Sequence, residues 1–187
     1  MFDLDQFKSE CISAAQKRSA LPEMHEVITR AVEDPGAVLK ALGEPARSEI
    51  QTLYRSADLT ILNVIWGPYM TIRPHTHEMW AVIGIYTGRE DNILWRRISG
   101  DPHGRVEAAA ARALSVRETF PLGDQIIHSV TNPIGKLTGA IHVYGGDFFT
   151  VPRKEWEPET LTEQPFDVDR TLLMFEESNR HYQIQKG

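Results

Sequence analysis

The sequence predicts a mainly β fold: one antiparallel barrel or sandwich with α-helices at its N-terminus. Three observations point there. Between about Leu59 and Val151, short apolar or alternating runs recur, punctuated by turn residues at roughly 8–12-residue spacing. Ahead of them, apolar residues fall three to four positions apart, the spacing of a helix face. Across the 187 residues no fixed-period repeat and no low-complexity linker divides the chain, and that length suits one domain with a sizeable core.

In chain order, residues 1–54 form the helical zone. Leu4, Phe7, Cys11 and Ala14–Ala15 make one apolar stripe, and Met24, Val27, Ile28 and Ala31 make a second. Asp34-Pro35-Gly36 breaks the second helix. Pro35 then suits the first turn of a short third helix, Gly36 to Leu42, closed by Gly43. Residues 55–151 form the β core: LTILNVIW, MTIRPHTH, MWAVIGIY and ILWRRI, then, after the loop SGDPHG, VEAAAARALSV, ETFPLGDQIIHSV and LTGAIHVYGGDFF. Glu107 to Leu114 is ambiguous, because its alanines favour a helix unless a sheet overrides them. Residues 152–187 form a Pro- and Glu-rich extension with a helix expected from about Val168 to Asn179.

Charge and composition exclude several classes of partner. A formal net charge of −6 argues against nucleic acid or an anionic membrane, both of which reward clustered Lys and Arg. No apolar run approaches the roughly 20 residues that would span a bilayer. The opening MFDLDQFKSE is acidic and polar where a signal peptide is basic and then apolar. Cys11 is the single cysteine, which rules out an internal disulfide and a thiolate metal cluster. A reducing cytoplasm is the expected location, and a monomer or homodimer the expected state.

The chemistry centres on His75-Thr76-His77. In a strand, residues i and i+2 share a face, so both imidazoles can converge on one ion. Pro74 is tolerated just before them at a strand start or edge. Gly88 follows His77 by eleven residues; Pro121-Leu122-Gly123 precedes His128, and Asn132 lies four residues after it. This arrangement resembles the two motifs of the cupin superfamily, G-x5-H-x-H-x(3,4)-E-x6-G and P-x-G-x2-H-x3-N, with two extra residues before His128. The resemblance implies a double-stranded β-helix barrel holding one metal through His75, His77 and His128. The glutamate of the first motif is absent, since Ala81 or Val82 stands there. Three neutral imidazoles with open coordination suit Fe(II), Zn, Ni, Cu or Mn.

Within the cupins the chain resembles the thiol dioxygenases, the family of cysteine dioxygenase and 3-mercaptopropionate dioxygenase, from the N-terminal helices to about Phe149. Those enzymes also lack the glutamate and hold Fe(II) with three histidines. They place a Trp-Gly pair nine residues before the first ligand, as Trp66-Gly67 stands before His75. Their S-x-H-x-Y segment reads Ala140-Ile141-His142-Val143-Tyr144 here, keeping the histidine and tyrosine but not the serine. The resemblance implies an Fe(II) dioxygenase that oxidises a small thiol to its sulfinate with O2, with Tyr144 and His142 as catalytic residues beside the metal. Val82 occupies the position from which mammalian members crosslink a cysteine to the tyrosine, so no such crosslink forms. For the arginine that binds the substrate carboxylate, Arg55 is the loose match, with Arg73, Arg89 and Arg97 as rivals. Trp66 and Met79, the latter sharing the parity of His75 and His77, complete the expected substrate-binding set.

Elsewhere, GREDN after Tyr86 reads as a hairpin turn with solvated charges, and His25, His103 and His181 as exposed histidines. Two other functions fit the same residues. One is a three-histidine cupin dioxygenase acting on another substrate, such as a β-diketone. The other is a non-catalytic cupin that binds a small molecule.

Overall fold

The computed structural model describes residues 2–184. Three helices open the chain, α1 (Leu4–Ala15), α2 (Ala20–Val32) and α3 (Pro35–Leu42). The strands follow as β1 (Glu49–Arg55), β2 (Thr60–Trp66), β3 (Thr71–Thr76), β4 (Ala81–Thr87), β5 (Arg89–Arg97), β6 (Val106–Ser115), β7 (Thr119–Leu122), β8 (Ile127–Thr131), β9 (Thr138–Tyr144), β10 (Lys154–Trp156) and β11 (Glu163–Pro165), before α4 (Val168–Ile184). Local chemistry sets the helix starts: the carboxylates of Asp3 and Asp34 accept the amides of Gln6 (2.8 Å) and Ala37 (3.1 Å), and Pro35 occupies the first turn of α3.

Two antiparallel sheets run β1-β2-β9-β4-β7 and β11-β10-β3-β8-β5-β6. The pairings nest: β2 with β9, β3 with β8, β4 with β7 and β5 with β6. A long hairpin folded over itself in this way is a double-stranded β-helix, so the fold is mainly β, as expected, with N-terminal helices on one face. Strand pleating then sorts the side chains. Val82 and Tyr86 of β4 and Ile141 and Val143 of β9 face the helices, where they pack with Phe7, Met24 and Ile28. The alternate residues Ile83 and Ile85, with Leu62 and Val64 of β2, fill the space between the sheets. Covering both faces is why β2, β4 and β9 are buried almost without interruption. Gly84 lets α2 approach β4, since a Cβ there would lie 2.5 Å from Ile28 Cγ2.

The structure departs from the sequence expectations in three places and resolves one segment that the sequence left ambiguous. The helical zone ends at Leu42, not near Tyr54, because residues 49–55 are recruited as an edge strand by β2. The alanine-rich segment is strand β6, paired along its length with β5 and anchored by buried Val106 and Leu114, so sheet pairing overrides helix propensity. The C-terminal extension is part of the barrel: β10 pairs with β3, setting Glu155 opposite His75. Finally, His25 is half-buried and hydrogen-bonds to Thr119 Oγ1 at 2.8 Å.

Candidate metal centre

The structure brings His75, His77 and His128 together. His75 on β3 lies directly opposite His128 on β8, and His77 follows just past the end of β3. His77 Nε2 lies 3.2 Å from His75 Nε2 and 3.1 Å from His128 Nε2, and all three rings are buried. Second partners fix the tautomers of two of them. His75 Nδ1 lies 2.9 Å from the Arg73 carbonyl oxygen, which can only accept, so Nδ1 carries the proton and Nε2 is a bare lone pair. His128 Nδ1 lies 2.7 Å from Asn92 Oδ1, with the same consequence. Two bare lone pairs therefore face His77 Nε2, and a proton on that nitrogen could satisfy one of them. A cation satisfies all three.

The cluster passes a geometric fit test for a metal. The separations of 3.2 and 3.1 Å from His77 would let these nitrogens share one ion, and all three donor atoms lie within 4.8 Å of one another. Burial keeps the rings neutral and available. It pushes His75 down to about 4, and it pushes His77 and His128 well below the ordinary histidine value, helped by the neighbouring imidazoles. Ala81 and Val82 are buried apolar residues of β4, so no carboxylate comes from that position, and among the described residues the cluster is the three histidines.

Across the cavity, His142 and Tyr144 project from one face of β9. The Tyr144 hydroxyl lies 3.1 Å from His142 Nδ1, and its ring stands edge-on to His77 at 5.0 Å. Burial raises the phenol above its usual pKa, so it stays protonated at neutral pH. Trp66, at the end of β2, lines the same cavity, of about 50 Å³. Met79 is buried in the inner core against Gly146 and does not line it.

The structure places Arg55, Arg73, Arg89 and Arg97 outside the lining of the cavity that holds the three imidazoles. Arg55 is exposed, bonds Asp147 through two nitrogens at 2.9 Å and stacks over Phe149, outside the metal cavity. Arg73, Arg89 and Arg97 are likewise committed to Glu155, Asp91 and Glu163. The arginine in the cavity is Arg153, from the C-terminal extension, which only the tertiary fold brings there. It is 9% exposed, and among the described residues it has no carboxylate partner and its Nη1 is without a hydrogen bond. Its guanidinium sits between Phe148 and Phe166, at 3.9 and 4.3 Å from their ring centres, and burial lowers its pKa. These residues also wall an adjoining apolar chamber of about 120 Å³, with Val168 and Leu172 at its rim.

Two further residues escaped the sequence reading. Glu90 and Asn92 of GREDN are buried on β5 instead of solvated, with only Arg89 and Asp91 of that stretch turned outward. The signal for them was strand parity, since i and i+2 after the Gly88 turn must share a face. Asn132, singled out by spacing, ties the loop after β8 to Gly67 and Lys136 by donating to both carbonyls, at 2.9 and 2.8 Å.

No family model matches the chain. Among solved structures, it is similar to an RmlC-like cupin family protein with a double-stranded β-helix fold from Methanocaldococcus jannaschii (8% identity, 57% of this chain and 87% of that one, TM-score 0.46). It is also similar to a conserved protein with a double-stranded β-helix domain from Klebsiella pneumoniae (9% identity, 66% and 88%, TM-score 0.42) and to an oxalate oxidase in complex with glycolate (16% identity, 56% and 53%, TM-score 0.40).

Proposed function

We propose that this protein is a mononuclear, metal-dependent dioxygenase that converts a small thiol bearing a carboxylate, of the cysteine or 3-mercaptopropionate class, to its sulfinate with O2. One observation carries the reading: three neutral imidazole nitrogens converge in a cavity also lined by Arg153, whose guanidinium has no hydrogen-bond or ion-pair partner among the described residues. His75, His77 and His128 would hold the metal, with Fe(II) proposed because O2 is a substrate. Such an ion supplies a place for thiolate and O2 to meet. The rest is the work of this chain. Arg153 offers its unsatisfied Nη1 to a carboxylate, a charge-assisted contact favoured in this dry setting. Tyr144 holds its proton on the phenol oxygen at the edge of the cavity, with His142 Nδ1 as the hydrogen-bond partner that orients it. Phe148, Phe166 and Phe175 exclude water.

The test is anaerobic purification with metal analysis, reconstitution with Fe(II), and oxygen uptake with cysteine, 3-mercaptopropionate and acetylacetone in turn. The expected result is one iron per chain, uptake with a carboxylated thiol and a sulfinate product. Uptake with acetylacetone alone would assign a carbon–carbon cleaving enzyme, and no uptake by iron-loaded protein would leave a binding protein.

A further inference from the structure

We infer that Glu90 is the positioning residue of this centre, one buried carboxylate that fixes both the ligand His128 and the His142–Tyr144 pair; the inference rests on the metal-centre reading above. Glu90 is fully buried, on β5, and it is not one of the converging donors. Its Oε2 accepts the indole N–H of Trp66 at 2.7 Å, and its Oε1 accepts the amide N–H of Asn92 at 2.9 Å. His142 Nε2 lies 3.4 Å from Oε2 and has no hydrogen-bond partner among the described residues.

Donor and acceptor rules turn this into two lines of control. On the metal side, Glu90 can only accept, so Asn92 must present Nδ2 to it and Oδ1 to His128 Nδ1. That fixes the proton on Nδ1 and leaves His128 Nε2 bare toward the other imidazoles. On the relay side, a bare Nε2 on His142 would set a lone pair against an anionic oxygen. The favoured tautomer carries the proton on Nε2, toward Glu90. Nδ1 is then an acceptor, so the Tyr144 hydroxyl must donate to it and turn its lone pairs to the cavity. Ala140, two residues before His142, offers no hydroxyl, and the acceptor facing His142 comes from Glu90 on β5.

A carboxylate is required because three donors converge on it. In Glu90→Gln, an amide oxygen turned to Trp66 and His142 leaves the amide N–H₂ against Asn92 Nδ2. Turned the other way, the N–H₂ meets the indole N–H. Either orientation mispairs one line.

The experiment is imidazole ¹⁵N NMR on the full chain, metal-free and loaded with Zn(II) as a diamagnetic probe, together with zinc titrations. The wild type should show His142 protonated on Nε2 and His128 on Nδ1. Glu90→Gln should disturb at least one of these tautomers and weaken zinc about 10- to 100-fold. A wild-type His142 protonated on Nδ1 overturns the inference even if the variant fails to fold. So does a folded Glu90→Gln with wild-type tautomers and zinc affinity. Failure of the metal reading looks different: the wild type would take up no zinc, while the metal-free His142 tautomer still answers for Glu90.

Discussion

Arg153 sets up an opposition between stability and function that a single substitution can measure. Its guanidinium is nine-tenths buried with no carboxylate beside it among the described residues, and its compensation is two aromatic faces, Phe148 and Phe166. Burying an unpaired ion costs several kcal/mol, whereas each desolvated cation–π contact returns roughly 1–2 kcal/mol. The resting protein therefore carries a net penalty at this position. Arg153→Met keeps most of the stem volume between the rings and removes the charge. It should raise the unfolding free energy by about 1–2 kcal/mol, read by urea denaturation of the metal-free protein. The same change removes the partner proposed for the substrate carboxylate, and a charge-assisted hydrogen bond is worth about 1.5–3 kcal/mol. KM for a carboxylated thiol should accordingly rise about 10- to 150-fold, while turnover of 2-mercaptoethanol, which has no carboxylate, stays the same in both proteins. A variant destabilised by more than about 1 kcal/mol with KM unchanged would make Arg153 a packing strut and refute the reasoning.

Three other outcomes follow from the same geometry. His128→Ala removes one of the three converging nitrogens and strands Asn92 Oδ1, so the purified variant should hold no stoichiometric iron by elemental analysis. Tyr144→Phe deletes the hydroxyl bonded to His142 but leaves the imidazoles alone; iron content should be normal and kcat lower by about 10²-fold in the oxygen-electrode assay. The metal-free protein should lose stability in acid. His75 is neutral in the fold down to about 4 but takes up a proton near 6.5 once unfolded, so the unfolded state binds more protons and stability falls as pH drops through that window. The drop from this residue alone is roughly 3 kcal/mol, measured by denaturation at pH 7 and pH 4, and a flat profile would mean that the ring is hydrated.

What the sequence disclosed depended on whether a signal was local. The i, i+2 pair His75 and His77 reads directly off the chain because a strand's period is two. The partner His128 came from motif spacing, and its place opposite His75 is a matter of β3–β8 register. Turn chemistry was equally legible at Gly88, whose φ of 80° and contact with Thr138 admit no side chain. The rest was hidden for identifiable reasons. The alanines of β6 have a helical preference of only a few tenths of a kcal/mol each, which a full ladder of hydrogen bonds to β5 overrules. Arg153 sits in a stretch without periodicity, and no residue near it in sequence marks it as buried; what buries it is β10 pairing with β3 and Phe166 folding back on its guanidinium. Glu90 was misjudged by composition. A charged run reads as solvated, and only the pairing of β5 between β8 and β6 decides which of its alternate residues face inward.

The charges inside the barrel also narrow what the cavity can accept. The imidazoles bring no negative charge to a divalent ion, and the position where the cupin motif carries glutamate is apolar. Glu90 is engaged by Trp66 and Asn92 and faces His142, away from the converging nitrogens. Arg153 adds a positive charge on the open side. In a low-dielectric cavity such an excess of positive charge favours anionic ligands and disfavours amines. A thiolate that also bears a carboxylate carries two negative charges, one for the metal side and one for the guanidinium. A neutral diketone would have to lose a proton to supply one. The ratio of binding constants for 3-mercaptopropionate and cysteamine therefore reads this balance directly. Metal-loaded wild type should prefer the acid by 10-fold or more, and Arg153→Met should bring the two within a few-fold of each other. Equal binding to wild type would show that the charge on Arg153 is silent.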